Sequence, residues 1–162
     1  IRLILANIMK QEKVNRVLIP YLGRKLPKKA QEKALNRLKK GGKLFLLHII
    51  DEAPTRSIRY RTGQMGEKSE LIKTFKKTQE KVQENAAKDY AENVKDEAAK
   101  KGISVESIYV SGSPTEEILK AIDRYSIDLV LIEKLRERMA EIFLGDEIDY
   151  LCQKASCEVL TV

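Results

Sequence analysis

Tryptophan is absent, histidine occurs once, and the 162 residues include only two cysteines, four prolines and eight glycines. A metal centre draws three or four ligands from histidine, cysteine and carboxylates, and a disulfide scaffold needs more than Cys152 and Cys157. The two thiols read as packing residues in a reducing compartment. No apolar run approaches the roughly 20 residues that cross a bilayer. The longest are Leu44–Leu47, with Ile49–Ile50 beyond His48, and Leu129–Ile132. There is no internal repeat and no low-complexity segment. Aromatic residues are only 6% of the chain and no nucleic-acid-binding module is recognisable, so nucleic acid is not the expected partner.

Apolar residues make up 43% and charged residues 34%, enough for one well-filled globular domain and too apolar for disorder. Lysine and glutamate dominate the charge, a balance that leans toward a thermophilic source. The net charge of +7 is unevenly placed. Residues 1–42 hold twelve bases and two acids, a net +10, which leaves −3 for the other 120 residues. A basic end on a slightly acidic body points to a polyanionic surface nearby, either nucleic acid or anionic lipid, and an anionic membrane surface near the basic N-terminal part is an expected partner.

The order of elements follows from periodicity and punctuation. Val14–Tyr21 is a β-branched run that predicts a first strand. Pro27 opens a helix reaching about Lys40, with Ala30, Ala34 and Leu38 on one face and Gly41-Gly42 as its stop. Lys43–Ile50, almost continuously apolar, predicts a strand covered on both faces. A loop over Asp51–Lys68 leads to Ser69, which caps a long helix to about Lys101. Its expected buried stripe is Leu71, Ile72, Phe75, Val82, Ala86, Tyr90, Val94 and Ala98. Ser104–Val110 is a third strand. Ser113-Pro114-Thr115-Glu116 reads as a capping box opening a helix to Tyr125. Asp128–Glu133 is a fourth strand, Met139–Ala155 a last helix, and Cys157–Val162 a fifth strand. Strands alternating with helices predict an α/β fold, a three-layer sandwich around a five-stranded parallel sheet. Ligands of such sheets sit at the carboxyl ends of the strands, here Tyr21–Gly23, Ile50–Asp51, Ser111–Ser113 and Glu133–Arg136.

Four stretches in this order carry a resemblance: Val17-Leu18-Ile19-Pro20, Leu46-Leu47-His48-Ile49-Ile50-Asp51, Gly112-Ser113-Pro114-Thr115-Glu116-Glu117-Ile118-Leu119, and Ser126-Ile127-Asp128-Leu129-Val130-Leu131-Ile132. With the closing Cys157–Val162, the chain from Val14 resembles the universal stress protein family. The resemblance implies the Rossmann-like, adenine-nucleotide α-hydrolase-like variant of the fold.

It also implies where a nucleotide would sit. ATP-binding members carry Gly, two residues, Gly, nine residues, then Gly with Ser or Thr after the fourth strand. The glycines let backbone N–H groups approach the phosphates. Here the first two glycine positions hold Glu133 and Arg136. Gly145 follows after eight residues, and Asp146 replaces the hydroxyl. The aspartate that family members place at the end of strand one is Leu22, and Ile50 and Gly112 complete the degenerate nucleotide-site positions. Carboxylates at 133 and 146 repel phosphate, and side chains at 133 and 136 block close backbone approach. Lys134, Arg136 and Arg138 still attract an anion to the region. Conventional ATP binding is not expected, and no cofactor is assigned.

No catalytic constellation emerges, and the chain is not read as an enzyme. His48 lies between apolar residues with no nucleophile placed beside it, and reads as a structural histidine. Glu116-Glu117 favour a helix dipole. An enzyme of the wider nucleotide-hydrolase group would carry a glycine- and serine-rich loop after strand one, whereas Tyr21-Leu22-Gly23-Arg24-Lys25 has one glycine.

Lys25, Lys29, Lys33 and Arg37, four apart, place cations along one helix face and its approach. Residues 1–13 precede the family-like part (14–162), and two readings stand for them: a membrane-proximal linker, or an added element packed on the sheet or on a dimer mate. Ile1–Met9 is mostly apolar and runs straight into basic residues, as a linker on the cytoplasmic side of a membrane does. The family includes domains appended to amino-acid transporters and cation/proton antiporters. The expectation is a non-catalytic regulatory domain in the cytoplasm, at the cytoplasmic face of the membrane if joined to a transporter in cis. The alternative is a stand-alone cytosolic stress protein that binds an adenine nucleotide through the degenerate loop. The resemblance also implies a homodimer built on the last strand, with Val159, Leu160, Thr161 and Val162 at the interface.

Overall fold

The computed structural model describes residues 12–52, 55–56, 70–134 and 145–162. Within them the order is β1 (Val14–Leu22), α1 (Lys28–Arg37), β2 (Leu38–Ile49), α2 (Glu70–Lys100), β3 (Ser104–Val110), α3 (Pro114–Tyr125), β4 (Leu129–Ile132), α4 (Gly145–Lys154) and β5 (Glu158–Thr161). All neighbouring strands pair in parallel, in the order β3-β2-β1-β4-β5.

Two apolar layers clamp the sheet, because alternate strand residues point to opposite faces. Val17, Ile19, Leu44, Leu46, Leu129 and Leu131 pack with Ala30, Ala34 and Leu35 of α1 and with Ala91, Val94 and Ala98 of α2. Leu18, Phe45, Leu47, Val130 and Ile132 pack with Ile118, Ala121 and Ile122 of α3 and Leu151 of α4. The predicted three-layer α/β sandwich is the observed one.

Several expected boundaries move. Helix α1 stops at Arg37, because Leu38 already has extended backbone angles, and Leu38–Lys40 belong to β2. The Gly41-Gly42 pair therefore lies inside the strand instead of ending the helix. Val14 pairs with Leu38 but Arg16 with Lys43, so four residues of β2 face one of β1. The irregularity needs both glycines: Gly41 has φ +87°, and a Cβ on Gly42 would lie 2.8 Å from the Lys39 carbonyl and 2.9 Å from that of Asn15.

The buried stripe of α2 is Ile72, Gln83, Ala87, Tyr90, Ala91, Val94 and Ala98, while Leu71 and Val82 are exposed. Ser113 makes no side-chain cap, so the expected capping box is not formed; proline at the first turn and two acids favour the start of α3 instead. Strand β4 is shorter than expected and β5 spans four residues. Ser69, Arg136 and the expected start of the last helix at Met139 lie outside the described residues, as does most of the 1–13 segment.

Asp128 joins the two halves of the sheet. Its carboxylate accepts the backbone N–H of Asn15 (3.1 Å) and Arg16 (2.9 Å), and its own N–H donates to the Arg16 carbonyl. The Arg16 guanidinium reaches the last carbonyl of α3, on Tyr125, at 2.7 Å. The Ser-Ile-Asp stretch before β4 thus fixes where β4 meets β1.

Candidate functional site

The chain steps outward from β1 to β2 and β3, then returns to the other side of β1 to lay down β4 and β5. The crevice of such a sheet opens at this reversal, beyond the carboxyl ends of β1 and β4. Leu22 ends β1 and is half-buried against the α3 layer. Ile50 follows β2, and its N–H donates to the Val110 carbonyl at 3.0 Å. Glu133 follows β4. Gly112 lies past β3 with φ +144°, and its missing Cβ leaves room for Glu117, whose Oε1 would be 3.1 Å away. Gly145 and Asp146 begin α4. Arg136 lies outside the described residues. Leu22 and Glu133 thus share the mouth of the crevice, Ile50 lies beside them, and Gly112 belongs to the next strand out.

Glu133 is the decisive residue. Its Oε1 accepts the backbone N–H of Lys29 at 3.2 Å, in the first turn of α1. That turn has no acid of its own, and Pro27 at the cap position offers no side-chain acceptor. Free N–H groups and the helix dipole make such a terminus attractive to an anion. A carboxylate from β4 occupies it. The second oxygen, Oε2, is buried without a hydrogen-bond partner among the described residues. The charge also contributes to raising the Tyr90 hydroxyl well above its ordinary range, after burial, the larger cause.

Beneath the crevice, the sheet register aligns Tyr21, His48 and Tyr109 across β1, β2 and β3. The His48 ring centroid is 5.2 Å from that of Tyr21 and 6.0 Å from that of Tyr109, and Tyr90 of α2 meets Tyr21 edge-on. His48 is 1% exposed. Its Nε2 lies 2.9 Å from the Gly23 carbonyl, which can only accept, so Nε2 carries the proton. Nδ1 is buried without a partner among the described residues. Burial holds the imidazole below its usual pKa of 6.5. No serine or cysteine hydroxyl or thiol is bonded to it among the described residues. The arrangement keeps a neutral ring between tyrosines rather than activating a nucleophile.

Polar links that sequence patterns did not reveal hold the strand ends. The Gln83 amide pairs both ways with the backbone of Asp51, accepting its N–H at 2.7 Å and donating to its carbonyl at 2.9 Å. The cavity beside this clamp offers only about 10 Å³, the room of a single water. The Tyr90 hydroxyl donates to Gln31 (2.6 Å), whose amide donates to Glu97 (2.5 Å). These residues face a groove of about 730 Å³ between α1 and α2, which also involves Leu26, Lys28 and Lys101. Gln83 and Asp51 are 32 positions apart, so no local sequence signal marked the clamp.

Among the described residues there is no cluster of three metal-ligating side chains, and no helix is long and apolar enough to cross a membrane. Burial pushes the Cys157 thiol up to about 11, which leaves it a poor nucleophile.

Comparison with known proteins adds the lineage. The family model described as Universal stress protein family matches residues 13–162. A universal stress protein of Methanocaldococcus jannaschii is 31% identical over 130 residues, spanning 76% of this chain and 78% of that protein. One from Bacillus subtilis is 28% identical over 152 residues, spanning 91% and 98%. The solved structure of the universal stress protein UspA from Lactobacillus plantarum shares the fold at a TM-score of 0.67 and 15% identity, covering 93% of this chain and 98% of that one.

Proposed function

The chain belongs to the universal stress protein family, and from that premise we propose that it is a non-catalytic regulatory domain whose nucleotide site is closed from within. The observation that carries this reading is the Glu133 carboxylate on the Lys29 amide, at the terminus an anion would otherwise use. A nucleotide phosphate approaching the end of β4 meets a fixed negative charge where ATP-binding relatives of the family pattern place glycine. Regulation then works through surfaces rather than through turnover. The sequence order, an apolar segment followed by basic residues, supports placing the domain on the cytoplasmic side of a membrane transporter in cis, biasing its state as a homodimer.

A second reading has its own support. The Bacillus subtilis relative is spanned over 98% of its length, so that universal stress protein is little larger than this domain. A stand-alone cytosolic protein that takes an adenine nucleotide through the region of Lys134 and Arg136 fits that comparison.

Calorimetric titration with ATP and AMP separates the two. The closed-site reading expects no saturable heat in the micromolar range. Saturable binding that disappears in Arg136→Glu overturns it in favour of the second. Attachment is read by immunoblot of fractionated source cells. A band several times heavier than 18.5 kDa in the membrane pellet is expected, and a soluble band near that mass overturns the transporter assignment.

A further inference from the structure

Residues 24–40 hold eight bases and one acid, a net +7 equal to that of the whole chain. The structure divides these bases into two kinds. Arg37 is 8% exposed and donates its Nε–H to the Glu12 carbonyl at 3.0 Å, a structural bond that ties the incoming chain to the end of α1. The other seven, Arg24, Lys25, Lys28, Lys29, Lys33, Lys39 and Lys40, are all exposed.

Elsewhere on the molecule six lysines are paired with acids. Lys73, Lys76, Lys88 and Lys95 pair with glutamates along α2, Lys120 pairs within α3, and Lys43 pairs with Glu106 across the sheet. None of the seven exposed cations on and around α1 has an ion-pair partner among the described residues. The helix they decorate is ten residues, about 15 Å long. Lys28 and Lys29 sit at its N-terminus, where positive charge opposes the dipole. Glu133 at that terminus and Glu32 on the helix offset only part of this charge, and such a concentration of exposed, self-repelling cations suits an external anion.

We propose that α1 and its flanks form a docking surface for an anionic membrane. The reading goes beyond the regulatory role above and holds whether or not the domain is joined to a transporter. Six of the seven cations are lysines, compact point charges suited to a diffuse field of headgroups, and the patch includes no aromatic side chain on which a base could stack. Leu26, beside Lys25, is 36% exposed and adds an apolar contact. The Arg37–Glu12 bond brings Glu12 to the end of this helix. Basic charge beside apolar residues is the two-part signal that holds a protein at a lipid interface.

The test is sedimentation of the purified chain with vesicles of phosphatidylcholine alone, or of phosphatidylcholine mixed with phosphatidylserine. Binding is expected only to the mixed vesicles, and raised salt should release it. The triple variant Lys25→Gln/Lys29→Gln/Lys33→Gln should lower the partition by roughly a hundredfold, from about fivefold per lysine. A charge-matched variant, Lys73→Gln/Lys88→Gln/Lys120→Gln, should stay near wild type. All six positions are exposed, and circular dichroism checks that both variants fold. Equal loss in the two variants would show that net charge, not this patch, is at work. Sedimentation independent of phosphatidylserine, or none at low salt, also overturns the proposal. A duplex DNA fragment that strips the protein from vesicles at equal phosphate concentration would assign the patch to nucleic acid instead. Because the isolated chain is used, failure here leaves the fractionation result above untouched.

Discussion

His48 shows how one buried polar group shapes the pH response. Its ring lies between Tyr21 and Tyr109, with the charge of Glu84 as a weaker influence, and burial holds its pKa below 6.5. The unfolded chain therefore binds the proton first as pH falls. Stability is fully present above about pH 6.5 and declines below it, by at most about 1.4 kcal/mol per pH unit for one proton. His48→Gln keeps a donor for the Gly23 carbonyl and removes the titration. Urea midpoints at pH 7 and pH 5 should fall less in the variant than in wild type. Equal falls would assign the acid sensitivity to other groups. The apolar flanks of His48 marked it as structural, whereas its bond to Gly23, 25 positions away, had no local signal.

At the scale of elements, sequence patterns located the five strands and the four helices α1–α4 but missed the helical residues Thr55 and Arg56 in the expected loop; two further misplacements have a clear physical cause. The period of apolar residues put Val82 and Ala86 on the buried face of α2. Gln83 and Ala87 lie there instead, because the Gln83 amide satisfies the Asp51 backbone and long-range polar pairing outweighs side-chain hydropathy. Gly41-Gly42 has the look of a helix stop, yet it supplies the irregularity of β2. The two glycines are needed for different reasons, so their alanine variants should differ. Gly41→Ala meets nothing within 4 Å and suffers only from φ +87°, costing about 1–2 kcal/mol. Gly42→Ala drives a Cβ against two carbonyl oxygens and should destabilise by about 1–3 kcal/mol, with the β1–β2 register disturbed. Denaturant midpoints rank them, and a neutral Gly42→Ala would show that the backbone gives way freely. The candidate site was legible in its positions, since strand ends are readable. The contact of Glu133 with the Lys29 amide was not, because the two are 104 residues apart and only the folded chain brings them together.

For the whole molecule the remaining question is what covers the outer edge of β5. The Val162 N–H donates to Ile132 and its carbonyl accepts from Lys134, so both its backbone groups face β4. Alternation along a strand then turns Leu160 toward β4 as well, and points the backbone groups of Val159 and Thr161 outward. Among the described residues no strand pairs with this edge; such an apolar edge invites a second strand, and the proposed homodimer supplies one. Leu160→Asp should yield monomers by light scattering, but Leu160 also packs against the α1–α2 layer, so that variant weakens the fold too. Thr161→Pro isolates the interface. It removes one outward N–H, leaves the bonds to β4 in place, and suits a strand at a sheet edge. A folded monomer from Thr161→Pro is the expected outcome. A dimer of unchanged mass in both variants would place the contact between subunits elsewhere, and with it any coupling between the two copies of the basic α1 surface.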